Sequence, residues 1–423
     1  MRSLLFISYV FPPSGGAGVQ RAVKFVKYLP AQGWRPVVVT PARPSVPLRD
    51  PGLLGELPPE VVVRRLVSLE PDAPEGASTS GRAGGLSALG RLKALAGGLL
   101  FPDRHVLWLP TALPGALAAA RRHQAQAVLV TAPPFSAFLL GWAVSRLAGL
   151  PLVLDFRDDW SGFFSKGFAA QGGGRLWRAL VRAAEGLCVG AAARVIGNTP
   201  EMTARLRRVH GGPAEKYVWI PNGYDPADFA FLRHAPAPPP AGDGRLRLLY
   251  TGTVFGSHPL DDLWAGFARL TPAERRRFVV TVVGRVVPGQ VVDPGLEGLT
   301  VNLLPYEPHQ AVVRRMAQAD VLLLTLAGLP GLDAMVPAKL FEYLAVGRPV
   351  LAIAPFGAAA KIVEATGAGA VVAPGDPAAL AARLRAWLAD PPRPLGPPPR
   401  AFDRRLHTAL LARALDQAAG PEA

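Results

Sequence analysis

Leu4-Leu5-Phe6-Ile7-Ser8-Tyr9-Val10-Phe11-Pro12-Pro13-Ser14-Gly15-Gly16-Ala17-Gly18-Val19-Gln20-Arg21 opens the chain with a pattern that sets its fold class. Leu4–Val10 is an apolar run that ends at Pro12-Pro13 and the glycines at 15, 16 and 18. Beyond it Val19, Ala22, Val23, Val26 and Leu29 recur at helical spacing, and Pro36–Thr40 is β-branched. Strand, glycine loop, helix and strand make a βαβ unit, which predicts a parallel sheet with right-handed crossovers. Glycine lets backbone approach a ligand, and a helix N-terminus offers unpaired N–H groups, so Gly15 and Gly16 are expected to meet an anionic group. The competing reading is a tight strand–helix turn with no ligand. A dinucleotide fingerprint G-x-G-x-x-G would need glycine where Arg21 stands and an acid after Val39-Thr40. Nicotinamide binding is therefore not expected.

The alternation continues outward. Ala127–Thr131, Leu152–Phe156 and Arg194–Gly197 read as strands, with a helix over Phe135–Ala148. A second series begins at Leu246–Tyr250 and runs through strands at Phe278–Val283, Thr300–Leu304, Val321–Leu326, Pro349–Ile353 and Ala370–Val372. Its helices are predicted over Leu260–Leu270, His309–Gln318 and Lys339–Val346. Residues 70–90 read as a mobile loop, and 234–244 as a Pro/Gly-rich insert or linker between the two series. The expected fold is α/β: two doubly wound Rossmann-like domains facing a cleft, at 1–219 and 220–400. A C-terminal helix at 401–423 is expected to pack back on the first domain. In such sheets ligands bind beyond the carboxyl ends of the strands.

Composition narrows the function classes. The 423 residues are 50% hydrophobic and 18% charged, enough for sizeable cores and too apolar for a mainly disordered chain. One cysteine, Cys188, excludes an intramolecular disulfide and a Cys-cluster zinc site, and the seven histidines form no H-E-x-x-H, so no metal is expected. The apolar stretch 132–154 holds three prolines and Arg146, poor material for a membrane span. A soluble, cytoplasmic protein is expected. Of the net charge of +15, residues 1–220 carry +13 (26 Lys+Arg against 13 Asp+Glu). A field of this kind suits an anionic partner such as lipid headgroups, although a solvated Arg-rich surface reads the same way. Nucleic acid is not expected, because neither aromatic–basic interleaving nor a helix-turn-helix is present.

Three later loops carry chemistry. Asp155-Phe156-Arg157-Asp158-Asp159-Trp160 crowds three carboxylates and an arginine at a strand end, where they could orient sugar hydroxyls or act as acid and base. The bland alternative is a self-satisfied Arg–Asp network pinning the loop. Ile220-Pro221-Asn222-Gly223-Tyr224-Asp225 is a turn after a strand. In Val336-Pro337-Ala338-Lys339-Leu340-Phe341-Glu342-Tyr343, Pro337 marks a helix start. Lys339 and the amides of Leu340 and Phe341 then fall in the first turn, where they can meet a diphosphate, and Glu342 can accept from ribose hydroxyls. An ordinary amphipathic helix with Lys339 and Glu342 exposed is the alternative.

Taken in order, these motifs resemble glycosyltransferase family 4 and its GT-B relatives, closest to a bacterial group acting in cell-surface polysaccharide and lipid-linked glycan assembly. The resemblance is carried by Phe11-Pro-Pro with Gly15-Gly16 and Val19-Gln20-Arg21, by Thr131-Ala-Pro-Pro-Phe-Ser136, and by Asp155-Phe-Arg-Asp158 with Trp160. It continues through Ile220-Pro-Asn-Gly-Tyr-Asp225, Tyr250-Thr-Gly-Thr253, Val336-Pro-Ala-Lys-Leu-Phe-Glu-Tyr343 and Gly367-Ala-Gly369.

The resemblance implies transfer of a sugar from a nucleotide-diphosphate donor to a glycan or polyprenyl-linked acceptor, with retention and without a metal or other cofactor. The C-terminal domain would hold the nucleotide sugar, with Lys339 on its phosphates and Glu342 on its ribose. Gly252 and Thr253, with Asn222 and Gly223, would line the donor cleft. Gly16 would approach the donor, while Arg157 and Asp158, with Asp155, would face the transferred sugar and acceptor. Two departures stand out. Ala334 occupies the place of the first glutamate of the family's E-x7-E motif, beside Asp333. No Arg…Lys pair follows the first C-terminal strand, which leaves Arg285 and Lys339 as the diphosphate cations. A lipid-linked acceptor would bring the basic half to the inner face of the cell membrane, and Leu86–Leu100 is a candidate interfacial segment. The competing functions are a GT-B nucleotide-sugar 2-epimerase and a non-catalytic nucleotide-sugar binder.

Overall fold

The computed structural model describes residues 1–44, 49–70, 100–165, 174–233 and 243–420. The expected loop beyond Glu70, the linker up to residue 242 and the interfacial segment short of Leu100 lie outside the described residues. The chain divides into two compact units, one of Met1–Pro221 with Arg404–Ala423, the other of Asn222–Asp403.

In the first unit β1 (Arg2–Ser8), α1 (Ala17–Tyr28), β2 (Trp34–Pro41) and β3 (Val62–Leu66) are followed by α2 (Leu109–Arg122), β4 (Ala125–Ala132), α3 (Ser136–Ala148) and β5 (Leu152–Phe156). Then come α4 (Trp160–Ser165), α5 (Arg175–Ala191), β6 (Arg194–Gly197), α6 (Pro200–His210) and β7 (Tyr217–Trp219). The strands form one parallel sheet in the order β3-β2-β1-β4-β5-β6-β7. Both faces are covered, so the strands read as continuous apolar runs. Leu5, Ile7, Val37 and Val39 enter one core, while Leu4, Phe6 and Val38 enter the other. The edge strands β3 and β7 were not predicted: β3 carries exposed Arg64 and Arg65 in place of an apolar run, and β7 is three residues long.

The second unit repeats the plan with β8 (Leu246–Thr251), α7 (Asp261–Ala268), α8 (Pro272–Arg275), β9 (Phe278–Val283), β10 (Thr300–Leu304), α9 (His309–Gln318) and β11 (Val321–Thr325). It closes with α10 (Lys339–Val346), β12 (Val350–Ile353), α11 (Ala358–Ala365), β13 (Gly369–Val372) and α12 (Pro377–Ala389). Its parallel sheet runs β10-β9-β8-β11-β12-β13. Alternate residues again divide, Leu249, Leu322 and Leu324 into one core and Leu248, Val321 and Leu323 into the other.

The last helix, α13 (Arg404–Ala419), belongs to the first unit. Its Leu411, Ala412 and Leu415 join the core beneath α1, and Asp416 accepts from the Trp34 indole at 3.0 Å. In each sheet the order reverses beside the first strand, between β1 and β4 and between β8 and β11. These switch points are where an open α/β sheet leaves a crevice at its carboxyl edge.

Candidate active site

At the switch point of the first unit three loops are tied together. Gly16 takes φ 90°, a backbone conformation that favours glycine, and starts α1 with no side-chain cap. A Cβ on Gly15 would come 3.2 Å from the Arg49 carbonyl carbon and the Asp50 Cβ, so the loop is packed as tightly as a glycine permits. Arg157, from the loop after β5, donates to the Gly18 carbonyl of the first loop and to the Pro133 carbonyl after β4. Its own carbonyl accepts from Asn198, and its buried Nε has no partner. Three strand ends thus share one guanidinium whose fixed contacts are neutral carbonyls. Asp158 beside it accepts no hydrogen bond among the described residues, and burial pushes its pKa up against the pull of Arg157.

Asp155 does something different from what its neighbours in sequence suggest. It is fully buried, and its two oxygens meet Arg21 at 2.7–3.1 Å and the Thr131 hydroxyl at 2.8 Å. Arg21, 1% exposed, also donates to the carbonyls of Ile220 (2.9 Å) and Pro221 (2.8 Å). The pair fastens α1 and β5 to the segment where the chain leaves this unit. A carboxylate enclosed in this way braces the loop and does not face a substrate, which corrects its grouping with the reacting residues. Asp159 likewise pairs with Arg205 and accepts from the Gly162 amide at 3.0 Å.

In the second unit the site is built on Lys339. Its Nζ is buried without a hydrogen-bond partner, 3.9 Å from the ring centroid of Tyr250 at the end of β8. Burial lowers its pKa to about 7, with Glu342 opposing. Gly252 lies beside it at φ 110°, a backbone conformation that favours glycine; a Cβ there would be in ordinary contact with Nζ at 3.5 Å. Gly284, at φ 136°, presses on Gly252 in turn: a Cβ on it would meet the Gly252 carbonyl oxygen at 2.2 Å. Arg285 follows directly, its carbonyl accepting from Val254 at 2.8 Å, and its guanidinium has no ion pair among the described residues. The Thr253 carbonyl accepts from the Tyr250 hydroxyl at 2.9 Å. Gly252, Thr253, Arg285 and Lys339 are therefore brought to one edge of the β8–β11 switch point.

One sequence expectation changes. The amides of Leu340 and Phe341 donate to the carbonyls of Pro337 (3.0 Å) and Ala338 (3.2 Å), and both side chains enter the core. The helix begins with a tight turn, so the amides without a backbone acceptor among the described residues are those of Ala338 and Lys339, one position earlier. Glu342 is not a lone acceptor either, since His309 Nε2 at the start of α9 lies 3.1 Å from it, both groups remaining a quarter exposed. Asn222 and Gly223 open the second unit, where Tyr224 donates to the Phe402 carbonyl at 2.9 Å. Asp333 is exposed on the 3-10 helix Leu332–Ala334, and its backbone is pressed against Gly357.

Sequence reasoning passed over His258. It is buried, with Nδ1 2.8 Å from the Ser257 hydroxyl and its ring stacked on Phe255, and burial together with Lys339 drives its pKa down to about 3. It is a neutral imidazole beside the lysine. No local pattern marks a histidine after Gly-Ser as part of a site; the fold of the loop after β8 brings it there.

No helix among the described residues is long and apolar enough to cross a membrane. No curated protein matches the chain. The solved structure of HepE from Anabaena in complex with UDP-glucose is 17% identical, with a TM-score of 0.59 over 99% of this chain and 95% of that one. WaaG, a glycosyltransferase involved in lipopolysaccharide biosynthesis, is also 17% identical, with a TM-score of 0.57 over 99% and 100%. The UDP-GlcNAc 2-epimerase from Neisseria meningitidis, bound to UDP-GlcNAc, is 11% identical, with a TM-score of 0.55 over 98% and 99%. At such identities the likeness shows the fold, that of the GT-B enzymes. Residues 245–390 match the profile of Glycosyl transferases group 1, and residues 15–228, just over half of the chain, match that of Glycosyltransferase Family 4. The chain belongs to glycosyltransferase family 4.

Proposed function

We propose that the protein transfers a sugar from a nucleotide-diphosphate donor to a glycan or polyprenyl-linked acceptor in cell-surface polysaccharide assembly, with retention of the anomeric configuration and without a metal. The observation that carries this reading is the buried, unpartnered Lys339 Nζ beside Gly252 at the switch point of the second unit. A buried cation with no counter-ion is costly unless a ligand brings the charge. A diphosphate does so, and Arg285 and the amides of Ala338 and Lys339 stand ready to share it. Glu342, one turn along beside His309, holds the ribose in this reading.

In the reaction, the bond from the anomeric carbon to the diphosphate oxygen breaks as the acceptor oxygen bonds to the same face of that carbon. The acceptor proton passes to the departing phosphate oxygen. The lysine, the arginine and the helix amides stabilise the negative charge growing there. In the first unit Arg157 and Asp158 hold the transferred sugar and the acceptor hydroxyl. HepE, whose structure holds UDP-glucose, supports the donor class, and WaaG, a glycosyltransferase involved in lipopolysaccharide biosynthesis, supports the reaction class.

The test is thermal stabilisation by UDP, GDP, ADP, dTDP, CMP and NAD in the presence of a chelator. A rise with one nucleoside diphosphate is expected, and silence from all of them would overturn the donor assignment. NMR of the product's anomeric proton would then decide retention. A second reading, a non-catalytic nucleotide-sugar binder, is favoured by Ala334 at the glutamate position. It predicts the same stabilisation with the donor left intact.

A further inference from the structure

Tyr9, the residue after β1, belongs to a cluster that the proposed reaction leaves unused. Its hydroxyl donates to Glu70 Oε2 at 2.6 Å, and its ring lies against that of His105, with centroids 4.3 Å apart. His105 Nδ1 is 2.8 Å from the same carboxylate oxygen, and the Ser68 hydroxyl donates to the other at 3.1 Å. Three segments distant in sequence thus converge on a carboxylate whose side chain is only 4% exposed. Asp103 fixes the place of the cluster. One of its oxygens accepts from the His105 amide and the other from the Ser136 amide, each at 3.0 Å. Ser136 begins α3, directly after the β4 loop whose Pro133 carbonyl holds Arg157. His105 therefore stands at the β1–β4 switch point, among the loops at the carboxyl edge of the first sheet.

The hydrogen bonds dictate which nitrogen of His105 carries the proton. Burial pushes the Glu70 pKa up, but hydrogen bonds from His105 and Tyr9 more than offset it and hold the carboxyl below its usual value. An ionised carboxylate only accepts, so Nδ1 donates, and in the neutral ring the lone pair is left on Nε2. Nε2 makes no hydrogen bond among the described residues, and the side chain is 17% exposed. A hydroxyl, an ammonium or a metal ion could meet such a lone pair. Among the described residues no further His, Cys, Asp or Glu joins the pair to complete a metal site. The first 220 residues carry 26 basic side chains against 13 acidic, a field that disfavours a cationic guest. A hydroxyl remains. We propose that His105 accepts a hydrogen bond from a hydroxyl of the acceptor sugar, a non-reacting one beside the hydroxyl that attacks, and so sets which acceptors are used and at which position. Glu70 and Tyr9 are positioning residues, the first holding the tautomer and the second the ring plane. The inference rests on the transferase reading above, in which the first unit takes the acceptor.

Nitrogen-15 NMR of the histidine-labelled full chain tests the tautomer at mildly alkaline pH, with His105→Gln assigning the signal. A protonated Nδ1 and a bare Nε2 are expected, and the opposite tautomer would overturn the inference. Octyl glycosides of glucose, galactose, mannose and N-acetylglucosamine then serve as acceptor probes, with the donor named by the nucleotide screen. His105→Phe, which keeps a ring against Tyr9, should raise the KM of the accepted probe about 2–10-fold, more than it lowers kcat. Glu70→Gln should do the same to a smaller extent, and His105→Gln, which restores an acceptor near Nε2, should recover part of the loss. Among monodeoxy analogues of that probe, one should lose the same factor with wild type and nothing further with His105→Phe. Circular dichroism checks that the variants fold, and nucleoside-diphosphate stabilisation on the same samples reads the donor site separately. A wild type that binds no nucleoside diphosphate would sink the transferase reading and this inference with it. Intact nucleotide binding with no transfer to any probe, with an unchanged KM in His105→Phe, or with every deoxy analogue losing as much again in that variant would overturn the acceptor contact alone.

Discussion

Lys339→Met should stabilise the empty protein and cripple its binding of nucleoside diphosphates. Met keeps the length and most of the volume of the lysine while removing its charge. Burial takes the ammonium from its ordinary 10.5 to about 7. At about 1.4 kcal/mol per tenfold change in proton affinity, and allowing for residual solvent access, that is on the order of 2–5 kcal/mol of strain. The face of Tyr250 at 3.9 Å offsets only part of it.

The sign follows from linkage. The folded state binds this proton more weakly than the unfolded state does. The penalty is therefore fully present below pH 7 and fades as the pH rises from 7 to 10.5. Differential scanning calorimetry at pH 6 should show the variant melting roughly 5–15 °C above wild type, with the gap closing toward pH 10. Adding the cognate nucleoside diphosphate should reverse the order. Wild type regains a partner for the charge, whereas the variant loses about 10–150-fold in affinity with one charge-assisted contact. Wild-type affinity should itself fall by up to about tenfold per pH unit above 7, because an anion can be met only by the protonated amine. Equal melting temperatures at pH 6, or a stability gap that ignores pH, would refute a buried lysine held for a ligand. An unchanged nucleotide affinity would refute its role on the phosphates.

Asp155→Asn leaves the Arg21 guanidinium buried without its counter-charge and should cost about 3–5 kcal/mol, read from the urea midpoint of the first unit. Arg157→Gln should leave the melting temperature within a few degrees yet lower kcat about 100–1,000-fold if, as proposed, its cation meets the transferred sugar, since its protein contacts are carbonyls. Glu342→Ala should cost about 10–150-fold in affinity for a ribonucleoside diphosphate and almost nothing for the 2′,3′-dideoxy analogue, a comparison by calorimetry that isolates the ribose contact.

Two glycines of the second unit show how the candidate site is assembled. Gly252 and Gly284 end adjacent strands and cross so closely that the second has no space for a Cβ. That closeness brings the loops after β8 and β9 together, and Lys339 comes in against Gly252. In the first unit the corresponding closure is made by side chains. Arg21 stands where a dinucleotide fold would carry its third glycine, and it reaches through the protein to Asp155 and the Ile220–Pro221 carbonyls. The same position that argues against a nicotinamide cofactor turns out to be a structural brace.

Much of this was legible in the chain alone, because parallel strands buried on both faces must be continuous apolar runs. β5, β6, β9 and β10, with α9 and α10, have the bounds that the pattern predicts. The glycine loop, the Asp155–Trp160 loop and the start of α10 announced themselves by residue type. Local patterns fail where a residue's partner is far along the sequence. Nothing near Asp155 says that its charge belongs to Arg21, 134 positions away, or that His309 comes to Glu342 across 33. Nothing near Leu340 says that a tight first turn moves the free amides back by one. Hydrophobic periodicity thus determined the central strands of both sheets and several of their helices, and residue type the loops that carry chemistry. Packing alone decided which of those loops' charges are neutralised inside the protein and which, like Lys339, are buried without a hydrogen-bond partner, because a buried charge is defined by its three-dimensional neighbours.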